Sequence, residues 1–263
     1  MQRTGPRQWA IALALTALAA LGIILLLLAF GPGWSVYAPA SCTATRCFCE
    51  MPRIGALILQ PANSWSSLGF VFAGFLMILL ARGPGWHSAM APVSATAFGI
   101  TAIVVGLGSV LLHATLTLWG QFFDVLGMYL VGAFLLVSAL GRWLGIPDGR
   151  AILLYAILCA GLVELLVAFP EARRWLFAVL LVLAIVVELA CARPRRPTVV
   201  VRFYLLGIVV NAVAFAIWNL DQHGFICVPS SLIQGHAAWH LLGAVALWLT
   251  FAYYRSEQPA AES

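Results

Sequence analysis

The 263-residue chain contains no lysine and nine acidic residues, and only 9% of it is charged, against roughly 25% in a soluble globular domain. It also lacks any polar segment long enough to fold alone. The longest, about 31–63, is a loop rich in Pro, Cys and Ser, and no internal repeat appears. These absences exclude a soluble enzyme or binding module. They also exclude a nucleic-acid partner, because the net charge of +5 has no basic, aromatic-interleaved soluble surface on which to sit.

What the chain has instead is apolar length. It is 63% hydrophobic with a mean hydropathy of +1.01. Eight stretches of the roughly 20 residues that a bilayer requires can be drawn, at 9–30, 64–81, 90–114, 119–141, 151–169, 174–192, 199–219 and 233–254. Lipid offers no partners to backbone polar groups, so continuous apolar runs of this length must be helices. The fold class is an all-α integral membrane protein.

Every basic residue is arginine. With the N-terminus inside, Arg3, Arg7, Arg82, Arg142, Arg150, Arg193, Arg195, Arg196, Arg202 and Arg255 fall on the cytoplasmic side, and Arg46, Arg53, Arg173 and Arg174 on the other. The positive-inside rule then puts both termini in the cytoplasm. Arg3 and Arg7 before an apolar run, with "APA" at 38–40, could also mark a signal peptide. The run is longer than the 7–15 residues of a signal core, so a retained helix is expected.

Six cysteines divide by place. Cys159 and Cys191 lie in spans and read as packing residues. Cys42, Cys47, Cys49 and Cys227 fall in the two long outer loops, where an oxidising compartment permits disulfides. Counting leaves their pairing open among three connectivities.

Ionisable groups inside a membrane are costly and mark function. "QGHAAWH" (234–240) puts His236 and His240 at i and i+4, on one helix face at the outer start of the last span. "SVLLH" brings Ser109 and His113 to the outer end of the third span, and Asp124 follows across a short turn. "WNLD" brings Asn219 and Asp221 to the outer end of the seventh. Three imidazoles from two helices at one depth form a tripod for zinc whose fourth position is left to water, the composition of a catalytic site. Zinc would lower the pKa of that water to about 7. Asp124 would then accept its proton, and Ser109 would donate to an oxyanion. Ser109 bonding back to its own helix, and Asp124 serving only the helix dipole, are the plainer alternatives. Asn219 and Asp221 read as partners orienting a ligating imidazole, or as caps of the seventh helix. His87 and His223 lie in loops and read as solvated, with a supporting place for His223 beside Asp221. A haem carrier fits poorly, since axial ligands face one another from different helices whereas His236 and His240 share one.

In order and helix position, "SVLLH", "GQFFD", "WNLD" and "QGHAAWH" resemble the alkaline ceramidases. These belong to a superfamily of seven-span zinc hydrolases that includes adiponectin receptors and hemolysin III proteins. The resemblance covers about 49–254 and implies a seven-helix core within 41–255, preceded by an extra helix in 1–40 and followed by a disordered tail, 256–263. It further implies zinc on His113, His236 and His240, Asp124 as base, Ser109 at the oxyanion, a Cys49–Cys227 disulfide, and hydrolysis of ceramide or a related N-acyl lipid. A receptor-like or hemolysin III-like protein with the same metal site is the alternative. The family's acidic calcium segment is reduced here to "CFCEMPR", with Glu50 kept and Gln60 at the later acidic position, so Ca²⁺ is expected to bind poorly. The arginine-only, Ala/Leu-rich composition points to a high-GC bacterial genome and hence to an inner membrane with the site toward the periplasm. Acyl and head-group preference and oligomeric state leave no trace in the sequence.

Overall fold

A computed structural model describes residues 5–43 and 48–259. Among the described residues, eight helices are long and apolar enough to span a membrane, and each overlays one of the eight stretches. They are α1 (Pro6–Phe30), α2 with α3 (Pro61–Ser66 and Leu68–Ala81, one span), α4 (Pro92–Thr115), α5 (Leu118–Leu144), α6 (Asp148–Ala168), α7 (Arg173–Val186, in a span that runs on to Arg195), α8 (Val201–Gln222) and α9 (Gly235–Arg255). Proline stands at the start of α1, α2 and α4, where its missing N–H costs nothing. The α4–α5 turn passes through Leu116, a non-glycine residue at φ 50°. Thr117 then caps α5 by accepting from Gly120 N at 3.2 Å.

Two glycines set the spacing around α4. A Cβ on Gly106 would lie 2.8 Å from the Ser67 carbonyl oxygen, so α4 packs directly on the break between α2 and α3. A Cβ on Gly108 would overlap the Phe123 carbonyl and come within 3.0 Å of Asp124 N. Only a residue without a side chain lets the backbones approach so closely. Ser109, the residue after Gly108, is thereby held beside both neighbours.

The break has its own cause. Ser66 and Ser67 bring their hydroxyls within 3.0 and 2.8 Å of the Asn63 carbonyl, where side-chain donors compete with the helical ladder. The Ser67 N–H goes to Trp65 instead.

The buried core joins α3, α4, α5 and α9 around Phe98, Met77, Phe134 and Phe251. Much of α1, α6, α7 and α8 presents Leu, Ile, Val and Phe outward, as lipid-facing helices do.

The end of the bundle away from the histidines is closed by charge. After α7 the helix widens into a π-helical segment, Val187–Ala192, which carries the fully buried Glu188. Glu188 accepts from Tyr253 OH at 2.6 Å and pairs with Arg142 at 3.3 Å. Order continues past Arg255, where the sequence reads as the start of a disordered tail. Ser256 and Glu257 are buried, and Glu257 lies between Arg142 and Arg196. Ion pairing outweighs the tail's polar composition at these residues. Residues 260–263 lie outside the described part.

Candidate metal centre

His113 stands in the last turn of α4, and His236 and His240 in the first turns of α9. All three are buried, and one ring nitrogen from each lies within 4.8 Å of those of the other two. The Nε2 atoms of His113 and His236 are 3.2 Å apart. Three nitrogen donors brought so close, with no carboxylate among them, are a donor set suited to zinc.

The outward-facing nitrogens are equally defined. His113 Nδ1 is 2.9 Å from Gln60 Oε1, and His240 Nδ1 is 3.1 Å from the Asn63 carbonyl oxygen. Both partners are acceptors, and Ser66 Oγ and Ser67 Oγ also lie 3.0 and 3.1 Å from His240 Nδ1; with the proton on each Nδ1, the Nε2 lone pairs are left facing inward, as metal ligation requires. These partners come from "QPANSWSSL", where only Gln60 draws attention in the sequence, and for a different reason. The overlooked signal is a cluster of polar residues at the mouth of an apolar span.

Asp221 is buried and acts through the backbone. Its Oδ1 accepts from Gly235 N at 3.1 Å and the carboxylate also accepts from the His236 N–H. It therefore supplies the cap that Gln234, the residue at the start of α9, does not provide with its own side chain. Gln234 instead donates to Val228 and Ser231 carbonyls at 3.0 and 2.6 Å, folding the preceding loop. The Asn219 side chain turns to its own helix, its Nδ2 donating to Phe215 O at 2.7 Å. His87 and His223 are exposed, and His223 bonds to the Asn219 carbonyl.

Ser109 Oγ lies 3.3 Å from His240 Nε2 and 3.0 Å from Ser67 Oγ, so its hydroxyl is directed at neighbouring helices. Asp124 is half-buried on α5, with its backbone against the turn that carries Ser109.

A loop covers the centre. Cys49 is bonded to Cys227, with their Cα atoms 5.5 Å apart, which ties the segment before α2 to the one before α9. Met51 N donates to Pro229 O across the same junction. Phe48 rests on the rings of His113 and His236, at centroid distances of 4.5 and 4.4 Å. Cys42 is also disulfide-bonded, Cys47 lies outside the described residues, and Cys159 and Cys191 are free.

Glu50 is buried behind this loop. Its two oxygens accept from Ala62 N and Asn63 N at 2.8 and 2.9 Å, capping α2. Burial pushes its carboxyl above the usual range, and the Asn63 and Ala62 N–H groups, with Arg53, pull it back. Gln60 Nε2 donates to the Glu50 carbonyl at 2.7 Å while its oxygen serves His113. Ca²⁺ takes six to eight oxygens. Among the described residues, one carboxylate already engaged at both oxygens and one amide engaged at both ends do not fit it.

Gln60 thus joins the loop to a ligand. Gln60→Ala is expected to weaken metal retention by about 10–100-fold, the usual effect of removing such a partner. Competition with a chelator checks this, and unchanged retention would show that the contact does not tune the ligand.

No curated protein matches the chain by direct sequence comparison. A family model described as Ceramidase matches residues 40–261, from just before the covering loop to just beyond Glu257. The matched span contains all three histidines, the disulfide and every helix except α1, and on that match the chain belongs to the ceramidase family.

Proposed function

We propose that the protein is a zinc-dependent intramembrane amidohydrolase that cleaves the amide of ceramide or a related N-acyl lipid. The observation that carries this reading is the convergence of His113, His236 and His240, with Nδ1 of two rings within hydrogen-bond distance of outside acceptors, in a chain of the ceramidase family. Zinc, when bound, supplies Lewis acidity, polarising the amide carbonyl and bringing the pKa of water to about 7. Asp124 takes a proton from the attacking water and passes it to the leaving nitrogen. The C–N bond breaks, a C–O bond forms, and the products are a fatty acid and an amine, a sphingoid base in the case of ceramide. Ser109 donates to the carbonyl oxygen as negative charge builds there. The burial of the tripod beneath Phe48 and the outer loop keeps bulk water from the reacting atoms.

The arginine distribution supports cytoplasmic termini and a metal centre toward the outer side. The Cys49–Cys227 bond supports the same placement, since it needs an oxidising compartment. In a bacterial cell that is the periplasmic face of the inner membrane, and the substrate is a lipid entering from the bilayer.

Purified protein incubated with a panel of ceramides and other N-acyl lipids is expected to release fatty acid, and to stop when a chelator removes the metal. Bound metal with no release across the panel would favour the receptor-like alternative.

A further inference from the structure

Three hydrogen-bond donors crowd one carbonyl beside the metal centre. The Asn63 oxygen has two lone pairs, yet Ser66 Oγ (3.0 Å), Ser67 Oγ (2.8 Å) and His240 Nδ1 (3.1 Å) all lie within bonding distance. His240 Nδ1 also lies 3.0 Å from Ser66 Oγ and 3.1 Å from Ser67 Oγ, and when Nδ1–H and the Ser66 hydroxyl take the two lone pairs, the Ser67 proton turns elsewhere. A protonated His240 Nδ1 cannot accept it, whereas Ser109 Oγ, at 3.0 Å, can.

The direction of that contact matters. If Ser109 donated to Ser67, its single proton would be spent. If Ser67 donates, the Ser109 O–H is left to point toward His240 Nε2, 3.3 Å away, where the ligand nitrogens converge. Once the Nε2 lone pair is on a metal it cannot accept that proton, which then turns to the nearest developing negative charge.

We propose that Ser67, at the break between α2 and α3, is a positioning residue that fixes the donor direction of Ser109, so that Ser109 presents its proton to the substrate carbonyl oxygen. The inference rests on the amidohydrolase reading and adds a residue to it. The break is what makes this possible: a continuous helix would commit the Asn63 carbonyl to the Ser67 N–H, which here turns to Trp65. Gly106 presses α4 onto that break and fixes the approach of the two serines.

The test is a double-mutant cycle on the metal-loaded protein with ceramide. Ser67→Ala is expected to lower kcat roughly tenfold, about what one net hydrogen bond is worth in a rate, with KM and bound metal unchanged. Ser67→Thr, which keeps the hydroxyl, should stay within about twofold of wild type. In a Ser109→Ala background Ser67→Ala should have almost no further effect, because the group it orders is gone. Melting of the metal-stripped proteins gives a second reading, in which the two substitutions should again be coupled. If Ser67→Ala does not fold, Ser67→Cys, of similar shape and with a weak donor, takes its place.

Independent, multiplicative losses in a wild type that hydrolyses ceramide would overturn the role of Ser67 alone. No hydrolysis by metal-loaded wild type would overturn the amidohydrolase reading and this inference with it.

Discussion

Asp124→Asn is expected to cut fatty-acid release by about 10²–10⁴-fold, the range for loss of a positioned acid–base group. Asparagine keeps the size and hydrogen-bonding capacity of the side chain but cannot take up a proton near neutral pH. The fall should appear in kcat, with lipid binding and metal content intact, because Asp124 is not among the three converging ligands. The position is exacting. Gly108 lets the α5 backbone at Phe123 and Asp124 approach the turn that carries Ser109, which fixes where the main chain of Asp124 lies. Measurement of kcat, KM and metal content on the same preparation checks the expectation. Activity within tenfold of wild type would remove Asp124 from the proton path.

The second large effect concerns the covering loop. Joint replacement of Cys49 and Cys227 by serine is expected to cost about 2–5 kcal/mol, the range seen when a native disulfide is removed. The bond spans 178 residues of sequence, so its loss frees the 48–60 segment from the segment before α9. Phe48 then loses its seat over His113 and His236, and the Gln60 contact to His113 slackens with it. Melting in detergent should fall and metal should be released more readily, with reduced wild type behaving alike. If melting falls while metal retention is unchanged, the loop stabilises the fold without shaping the centre.

The spans were legible because lipid leaves the backbone one helical solution, and the ranges drawn from hydropathy fall within a few residues of the helices. The three histidines were legible for the opposite reason: each is a polar group in an apolar run, and helix direction gives its depth. The partners of those histidines were not. Asn63 acts through its carbonyl, which every residue has, and Ser66 and Ser67 sit at a span mouth where serine is unremarkable. Asp221 was singled out as a partner of a ring or a cap of the seventh helix, and its carboxylate bonds to the start of the last helix. Asn219, chosen with it on position alone, turns to its own helix because the nearest acceptor is one turn back. Glu257 escaped notice because nothing in a short polar tail reveals that two arginines distant in sequence, Arg142 on α5 and Arg196 ahead of α8, meet it.

That last contact decides where the working unit can be cut. A boundary at the end of the last apolar run looks natural, yet it severs the acceptor shared by Arg142 and Arg196 and removes Ser256, whose hydroxyl accepts from Val200 N at 2.8 Å ahead of α8. An affinity tag or fusion partner therefore belongs beyond Gln258, with its linker starting there, so that the charged seam between α5, α8 and α9 is left whole.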